Sequence, residues 1–298
     1  MENSCFFLAL LLLLLKQSLA TTFSNSTTNQ LALFAFKNYV TSDPYGILTR
    51  HWSTNTSKCH WIGVSCITKH QRVTTLNISS FNLGGTLAPR LANLTFLKYL
   101  DLSFNNFIGQ VPSWLGTLPR LEELRLYNNS FYGNIPPTLF NSSKLNARGM
   151  GDNFVSGNVP QEIGNCSSLE NFNLLSNYLT SSIPYGIFIL SYVTRINLSG
   201  NRFSSRLSSD LCNSSTSKLK SIFLAVNQLS GKIPRGIYKC KDLEYLSLSY
   251  NHFNGNIPRA NDFRGLYSII ISFVNFSRSF SVFQSTFDRT NCLDLQRI

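Results

Sequence analysis

One stretch of the chain decides its fold, and it reads Leu97-Lys98-Tyr99-Leu100-Asp101-Leu102-Ser103-Phe104-Asn105-Asn106-Phe107-Ile108-Gly109-Gln110-Val111-Pro112. The same order of leucine, asparagine, phenylalanine, glycine and proline returns 24 residues later, from Leu121 to Pro136. The asparagine then recurs at Asn153, Asn177, Asn201, Asn227 and Asn251. A fixed period of this length predicts a chain that grows by stacking similar units, and not one that folds around a single large core.

Each unit has the pattern of a leucine-rich repeat. In its Leu-x-Leu segment alternate residues point to opposite sides, so the leucines face the core and the residues between them face outward. The recurring asparagine follows this strand, and its amide can both donate to and accept from the backbone of neighbouring turns. The expected fold class is therefore an α/β solenoid with a parallel sheet along its concave side.

The repeats divide the chain into four expected parts. These are a signal peptide at 1–20, an N-terminal cap at 21–71, about eight repeats of period 24 at 72–260, and a degenerate repeat with a C-terminal tail at 261–298.

Two units depart from the pattern. Arg148 stands where a leucine belongs, so we expect either a side chain that extends to solvent or a locally distorted turn. The step from Asn201 to Asn227 is 26 residues, and we expect the two extra residues to bulge near Asn213 to Ser217.

The N-terminal segment points to secretion. A continuous apolar run from Phe6 to Leu15 is followed by the small residues of Ser18-Leu19-Ala20. The run is too short to cross a bilayer, so we expect a cleaved secretory signal, with an anchored N-terminus as the alternative. In the cap, Asn29 is expected to begin an amphipathic helix of about three turns that Pro44 ends.

The cysteines fit an oxidising compartment. Cys59 and Cys66 bracket a short segment just before the first repeat, and we expect them to form a disulfide, with zinc and nearby histidines as the alternative. Cys166 and Cys240 occupy the same phase three repeats apart, about 14 Å from each other at the spacing of strands. That distance is too long for a bridge, so both are expected to be buried apolar residues. The partners of Cys212 and Cys292 are left open.

Glycosylation sequons agree with secretion. Ten asparagines have Ser or Thr two positions on with no intervening Pro, namely Asn25, Asn55, Asn77, Asn93, Asn128, Asn141, Asn165, Asn197, Asn213 and Asn275. Asn77 and Asn197 fall between inward residues of their strands, so their glycans are expected to screen the concave face at those repeats.

The composition argues against several functions. The net charge of +12 suggests an acidic partner, but the cations are scattered along the chain, so nucleic acid is not expected. The four histidines show no metal-ligand spacing, and we find no catalytic constellation and no kinase signature. We therefore expect no enzyme activity, metal or cofactor, and no membrane-spanning segment in this chain.

Four motifs carry a resemblance to a known family, and together with the repeats they cover roughly residues 29–259. They are Ala32-Leu33-Phe34-Ala35-Phe36-Lys37, Trp52-Ser53, Cys59-His60-Trp61-Ile62-Gly63-Val64-Ser65-Cys66 and Arg72-Val73-Thr74-Thr75-Leu76-Asn77. The chain resembles the ectodomain of plant leucine-rich-repeat receptor-like kinases, in the immune-receptor subgroup that includes the elongation-factor-Tu receptor. The resemblance implies a plant-type right-handed superhelix that lies outside the cell, in the apoplast or at the plasma membrane. It also implies a peptide or protein ligand, a co-receptor kinase of the same type, and a role in defence or developmental signalling, here without membrane span and kinase.

We expect the ligand to bind the outward residues of the strands, where Tyr, Phe and Arg are the types enriched in binding hot spots. The candidate contacts are Tyr99, Asp101, Phe104, Glu123, Arg125, Tyr127, Asn173, Phe223, Tyr245 and Tyr250. One alternative is a secreted inhibitor of an extracellular enzyme such as a polygalacturonase. That class ends in a cysteine-clasped cap, whereas Cys292 stands by itself here. Another alternative is a nonfunctional fragment of a kinase gene.

Overall fold

The computed structural model describes residues 27–142, 144–209, 211–212, 217–255 and 268–270, with the backbone alone described at 147–148 and 268–270. Helix α1 spans 27–39, and α2 spans Ile47–His51. The strands are β1 Val40–Ser42, β2 Val64–Ile67, β3 Arg72–Asn77, β4 Gly84–Gly85, β5 Tyr99–Asp101, β6 Asn106–Gln110, β7 Glu123–Arg125, β8 Ser130–Asn134, β9 Ala147–Gly149, β10 Phe154–Gly157, β11 Asn171–Asn173, β12 Tyr178–Leu179, β13 Arg195–Asn197, β14 Ser221–Phe223, β15 Ser230–Lys232, β16 Tyr245–Ser247, β17 His252–Asn254 and β18 Ser268–Ile270.

The predicted parallel sheet is confirmed. It has ten strands in the order β18-β16-β14-β13-β11-β9-β7-β5-β3-β2, and all neighbours are parallel except the β2–β3 hairpin. The inward leucines, such as Leu100, Leu124 and Leu246, are almost completely buried. They belong to one hydrophobic core that runs the length of the described repeats. The other side of this sheet carries the residues between the leucines and faces away from the core. We call this side the inner face.

A second sheet, which the sequence analysis did not anticipate, lies just past the recurring asparagines. Its order is β1-β4-β6-β8-β10-β12, and β15 pairs with β17 in a separate pair. In β6, Phe107 is buried while its neighbours Asn106 and Ile108 are exposed, which is the alternation expected of a strand with one face on the core. Short 3-10 turns then return each chain segment to the next strand; they are Lys58–His60, Pro89–Asn93, Ser113–Thr117, Pro137–Phe140, Gln161–Asn165, Tyr185–Ile189 and Arg235–Lys239.

The asparagines form the expected ladder. The Nδ2 of Asn129 donates to the carbonyl of Leu102 in the preceding repeat at 3.0 Å and to Tyr127 O at 2.9 Å. Its Oδ1 accepts from the N–H of Phe107 at 2.9 Å. The amide group thus satisfies backbone groups that burial would otherwise leave without partners. The same pattern recurs at Asn153, Asn177, Asn201, Asn227 and Asn251.

The cap closes the first repeat with aromatic packing. Helix α1 buries Phe36, which contacts Trp52 at 6.1 Å and Phe107 of the second repeat at 5.8 Å between ring centroids. Trp52 stacks on Trp61 at 5.3 Å. The predicted Cys59–Cys66 disulfide is present, with the two Cα atoms 5.4 Å apart.

Two details of the cap were predicted wrongly. Asn29 lies within α1 and is buried, and its Oδ1 accepts from the N–H of Val73 at 2.9 Å, so it ties the helix to β3 instead of capping it. The helix ends at residue 39, before Pro44, because Val40 begins β1 and pairs with Gly85.

The prediction for Cys240 was also wrong, since Cys240 forms a disulfide with Cys212, with Cα atoms 5.1 Å apart. In the regular phase of the repeats, Cys240 aligns with Cys166, which lies three repeats away and is too distant to bridge. The long step between Asn201 and Asn227 brings Cys212 within reach instead. Cys166 is buried, as predicted, and its thiol donates to Phe140 O at 3.3 Å.

Several expectations fall on parts that the structure does not describe. Outside the described residues lie the signal peptide at 1–20, the bulge expected near 213–217 apart from Ser217, the side chain of Arg148, Cys292 and the tail beyond 270.

Candidate functional site

The strand register aligns the outward residues of the inner face in two rows. One row contains the last residue of each strand, in the order Asn77, Asp101, Arg125, Gly149, Asn173, Asn197, Phe223 and Ser247. The other contains the residue two positions earlier, in the order Thr75, Tyr99, Glu123, Ala147, Asn171, Arg195, Ser221 and Tyr245. Eight of the ten candidate contacts, all but Phe104 and Tyr250, lie in or directly beside these rows.

Four of the candidates form one connected group on β5 and β7, which we call the Arg125 cluster. The Arg125 guanidinium forms an ion pair with Glu123, lies 3.9 Å from the Asp101 carboxylate, and sits 5.5 Å from the centroid of the Tyr99 ring. The Tyr99 hydroxyl donates to Asp101 Oδ2 at 3.0 Å. The Asp101 side chain is 7% exposed, whereas that of Arg125 is 46% exposed, so the cation is presented to solvent above a buried carboxylate.

The surroundings shift the pKa values of two members of the cluster, Tyr99 and Arg125. Burial, together with the hydrogen bond to Asp101, raises the pKa of Tyr99 to about 12, so its hydroxyl stays protonated. Burial opposes the charge of Arg125, but the Glu123 carboxylate and the other neighbours outweigh it and raise the pKa of Arg125. The cluster therefore offers one exposed cation beside two carboxylates to a ligand.

Tyr127 links this cluster to the next repeats. A Cβ at Gly149 would fall 1.8 Å from Tyr127 Cζ, and one at Gly151 would fall 3.2 Å from Tyr127 Cδ1. The ring thus lies across two positions that carry no side chain. Burial raises the pKa of Tyr127, whose hydroxyl hydrogen-bonds to Asn173. This role of the two glycines was not predicted from the sequence, although Gly149 lies in one of the outward rows.

Phe104 lies at the edge of the inner face. It is 57% exposed and follows β5 in a left-handed conformation, with φ of 56°. Its N–H donates to Tyr127 O at 2.8 Å, which fixes the turn that leads away from the strand.

The remaining candidates form a separate aromatic patch. Phe223 lies on β14 with Arg195 5.4 Å from its ring centroid, and Tyr245 and Tyr250 are 42% and 57% exposed. Strand β14 is four strands from β7 in the sheet, or about 19 Å at the usual strand spacing. The structure therefore places the ten candidates in two patches and does not bring them together in one site.

The sequons divide between the two sides of the solenoid. Asn77 and Asn197 lie in the inner-face row as expected, and each accepts a hydrogen bond from the backbone two residues on, at 3.1 and 3.2 Å. Asn93 and Asn165 end 3-10 turns on the outer side, and Asn141 directly follows another. Asn55 and Asn128 are exposed. Asn25, Asn213 and Asn275 lie outside the described residues.

Two searches of the described residues bear on other kinds of site. They contain no group of three or more His, Cys, Asp or Glu residues that could hold a metal ion. Within the same part of the chain, no helix is long and apolar enough to cross a membrane.

Known families match both the cap and the repeats. The family described as "Leucine rich repeat N-terminal domain" matches residues 26–67. The family described as "Leucine Rich Repeat" matches residues 96–118, 120–142, 192–214 and 242–261. The chain has the leucine-rich-repeat solenoid fold. Its two matched parts coincide with the disulfide-clasped cap and with the solenoid described above.

Relatives of this leucine-rich-repeat chain are plant receptor kinases. It is 39% identical over 85 residues to the LRR receptor-like serine/threonine-protein kinase EFR of Arabidopsis thaliana, which is 28% of this chain and 8% of that protein. The match thus spans a small part of the relative's length.

Similar solved structures are receptor ectodomains with bound ligands. The structure of PEPR1–AtPEP1 superposes with a TM-score of 0.73 at 28% identity, over 82% of this chain and 38% of that one. The Arabidopsis receptor kinase HAESA ectodomain, in complex with an IDA peptide hormone, gives a TM-score of 0.65 at 29% identity, over 79% of this chain and 43% of that one. The fold is therefore that of plant receptor ectodomains.

Proposed function

We propose that this leucine-rich-repeat chain is the ligand-recognition region of a plant receptor-like Ser/Thr kinase, and that it binds a peptide or protein along its inner face. The role would be in defence or developmental signalling, with the kinase and membrane span supplied by parts of the receptor outside the matched region. A co-receptor kinase with leucine-rich repeats is a further partner under this proposal.

The observation that carries the proposal is the Arg125 cluster. An exposed guanidinium held above a buried carboxylate, with Tyr99 and Tyr127 beside it, is a rigid group of the residue types that dominate binding energy. The ion pairs hold Arg125 in place, so a ligand that pairs with its remaining donors would lose little side-chain entropy on binding. The fold neighbours with bound ligands support the same assignment.

The contact set has two parts under this proposal. Tyr99, Asp101, Phe104, Glu123, Arg125, Tyr127 and Asn173 would form the main site. Phe223, Tyr245 and Tyr250 would contact a second segment of an extended ligand, because a span of about 19 Å corresponds to roughly six residues of extended peptide.

A displayed library of random peptides tests the proposal. Peptides selected on the secreted wild-type chain are measured against Arg125→Glu, and against Arg235→Glu as a matched control, because Arg235 is an exposed arginine in an outer 3-10 turn. We expect the selected peptides to keep their affinity for the control and to lose at least about tenfold with Arg125→Glu. Selected peptides that bind both variants equally well would place recognition elsewhere.

A second experiment locates the ligand directly. A photoreactive residue at position 123 is expected to crosslink the selected peptides, whereas the same residue at position 235 is expected to leave them unlinked. Crosslinking at position 235 instead would contradict the assignment to the inner face.

We also infer that the chain is secreted to the apoplast as a glycoprotein. The two disulfides and the sequons at exposed positions support this inference. Expression in plant cells should give glycosidase-sensitive, monodisperse protein in the apoplastic fluid. Cytosolic accumulation of unglycosylated protein would contradict the inference.

A further inference from the structure

A row of basic and aromatic side chains lies at the end of the ten-stranded sheet where the chain enters each strand. It consists of the residue that precedes the first inward apolar residue of each of four successive repeats, namely Arg72, Phe96, Arg120 and Lys144. We call these four residues the edge row. The parallel register of β3, β5, β7 and β9 places them side by side at intervals of about 4.8 Å.

The centre of the edge row is an aromatic ring between two arginines. The Arg72 Cζ lies 4.4 Å from the centroid of the Phe96 ring, and the Arg120 Cζ lies 3.9 Å from the same centroid. The two guanidinium carbons are therefore at most about 8 Å apart. The same kind of contact recurs further along the edge, where Lys218 Nζ lies 4.8 Å from the Tyr192 ring centroid.

Stacking on a ring leaves the hydrogen-bonding edge of a guanidinium free. The attraction between the cation and the ring acts through the face, while the N–H donors lie in the guanidinium plane and point away. Phe96 thus orients the guanidinium groups of Arg72 and Arg120 without occupying their N–H donors. One of these donors, Arg72 Nε, is buried and has no hydrogen-bond partner in the described structure.

No described carboxylate forms an ion pair with a cation of the edge row. Among the described residues, the ion pairs are those of Lys98, Arg125 and Lys220, and none involves Arg72, Arg120 or Lys144. Glu122 follows Arg120 by two positions, but it pairs with Lys98 at 2.8 Å. Like charges held close together repel each other, and a bound anion would relieve that repulsion.

We propose that the edge row binds an acidic segment of a protein partner, with one carboxylate on Arg72 and a second on Arg120. Carboxylates accept two parallel hydrogen bonds from a guanidinium, which is the pairing that two oriented guanidinium groups favour. In an extended peptide, side chains two positions apart lie about 7 Å from each other, which is within the upper limit on the separation of the two guanidinium groups. Lys144 would contact a third carboxylate further along the segment. None of the four residues of the edge row belongs to the contact set proposed for the inner face.

Fluorescence anisotropy with a labelled peptide of alternating Glu and Ser tests the proposal, with a peptide of alternating Gln and Ser as the probe control. We expect the acidic peptide to bind the full secreted chain, and the Gln peptide to bind at least about tenfold more weakly. Arg120→Gln should reduce the affinity for the acidic peptide about tenfold. Arg235→Gln removes the same charge from another exposed site and should change that affinity less than about twofold.

A third variant tests the role of the ring. Phe96→Leu keeps all charges but removes the ring that orients the two arginines. It should therefore weaken binding more than Arg235→Gln and less than Arg120→Gln. Circular dichroism and thermal unfolding confirm that each variant is folded. Equal losses with Arg120→Gln and Arg235→Gln would show attraction by net charge alone and would overturn the proposal.

Two further outcomes would also overturn it. Asn93 lies three residues before Phe96, so the protein is measured both glycosylated and after glycosidase treatment, and the proposal expects binding in both forms. Binding only after removal of the glycans would contradict it. Binding of an oligogalacturonate but not of the acidic peptide would assign the edge row to a polysaccharide instead of a protein segment.

Discussion

The regular repeats and the one long repeat keep the same ladder in different ways. Between Asn153 and Asn177, each Nδ2 reaches a carbonyl 27 residues earlier, at 2.9 Å in both cases. Across the step from Asn201 to Asn227 the separation grows to 29 residues, yet the distance is 3.0 Å. The two additional residues leave the ladder intact, and a disulfide between Cys212 and Cys240 ties this repeat to the next. The strand spacing therefore sets the ladder, while the outer connections can vary in length.

The largest expected effect comes from breaking the ladder in a regular repeat. Asn153→Leu removes an amide that donates to Leu126 O at 2.9 Å and accepts from Phe131 N–H at 2.9 Å. Several buried backbone groups would lose their partners, so we expect about 4 kcal/mol of destabilisation. Urea unfolding of the secreted protein measures it. Asn134→Ala, at an exposed position, should cost less than about 0.5 kcal/mol, and equal costs would refute the ladder as the main polar support.

A smaller loss of stability is expected from removing the disulfide that joins the long repeat to the next one. The double variant Cys212→Ser with Cys240→Ser opens a loop with a sequence separation of 28 residues. We expect a loss of about 3 kcal/mol, chiefly because the unfolded chain gains freedom. Hydrogen exchange should show faster opening in the repeats around Asn227, with little change near Asn129. Uniform acceleration in both regions would mean that the disulfide does not act locally.

The third prediction concerns the inner face of a regular repeat. Gly149→Ala places a Cβ inside the Tyr127 ring, so the ring must move, and we expect a cost of about 2 kcal/mol. In the double variant with Tyr127→Ala the clash is absent, so the combined cost should be less than the sum of the two single costs. Denaturant midpoints of the four proteins complete the cycle, and additive costs would show that the two positions are not in contact.

The smallest expected effect is on the titration of Tyr99. Its pKa of about 12 is raised above the ordinary value of 10.0, first by burial and then by Asp101. Because the protonated form is favoured in the folded state, this contribution to stability is present below pH 10 and is lost as the pH rises through 12. Asp101→Asn should move the pKa of Tyr99 downward while burial keeps it above 10. Nuclear magnetic resonance of labelled tyrosine checks this, and an unchanged pKa would exclude the Asp101 contact.

The sequence predicted those features that repeat. Leu100 and its equivalents were assigned to the core because their spacing matches a strand with one buried face, and Asn129 and its equivalents were assigned to the ladder. The Cys59–Cys66 disulfide followed from a short loop in a secreted chain. Each of these predictions depends only on the spacing of residues along the chain and on one type of partner.

Features that depend on three-dimensional register were missed. The second sheet is made of strands of two to five residues, too short for periodicity to identify. Cys212 lies in the long repeat, where the regular phase gives no position for it. The place of Tyr127 above Gly149 depends on the direction of one side chain, and the hydrogen bond from Val73 to Asn29 spans 44 residues. Spacing along the chain carries none of this information.

The most direct test of the proposed recognition site is the affinity of one selected peptide for Arg125→Glu and for Arg235→Glu, measured by isothermal titration calorimetry. Our interpretation predicts that Arg125→Glu weakens binding at least about tenfold, because a third negative charge replaces the only cation of the cluster, while Arg235→Glu leaves it within about twofold. Equal affinities for the two variants would contradict the assignment of the inner face as the binding surface.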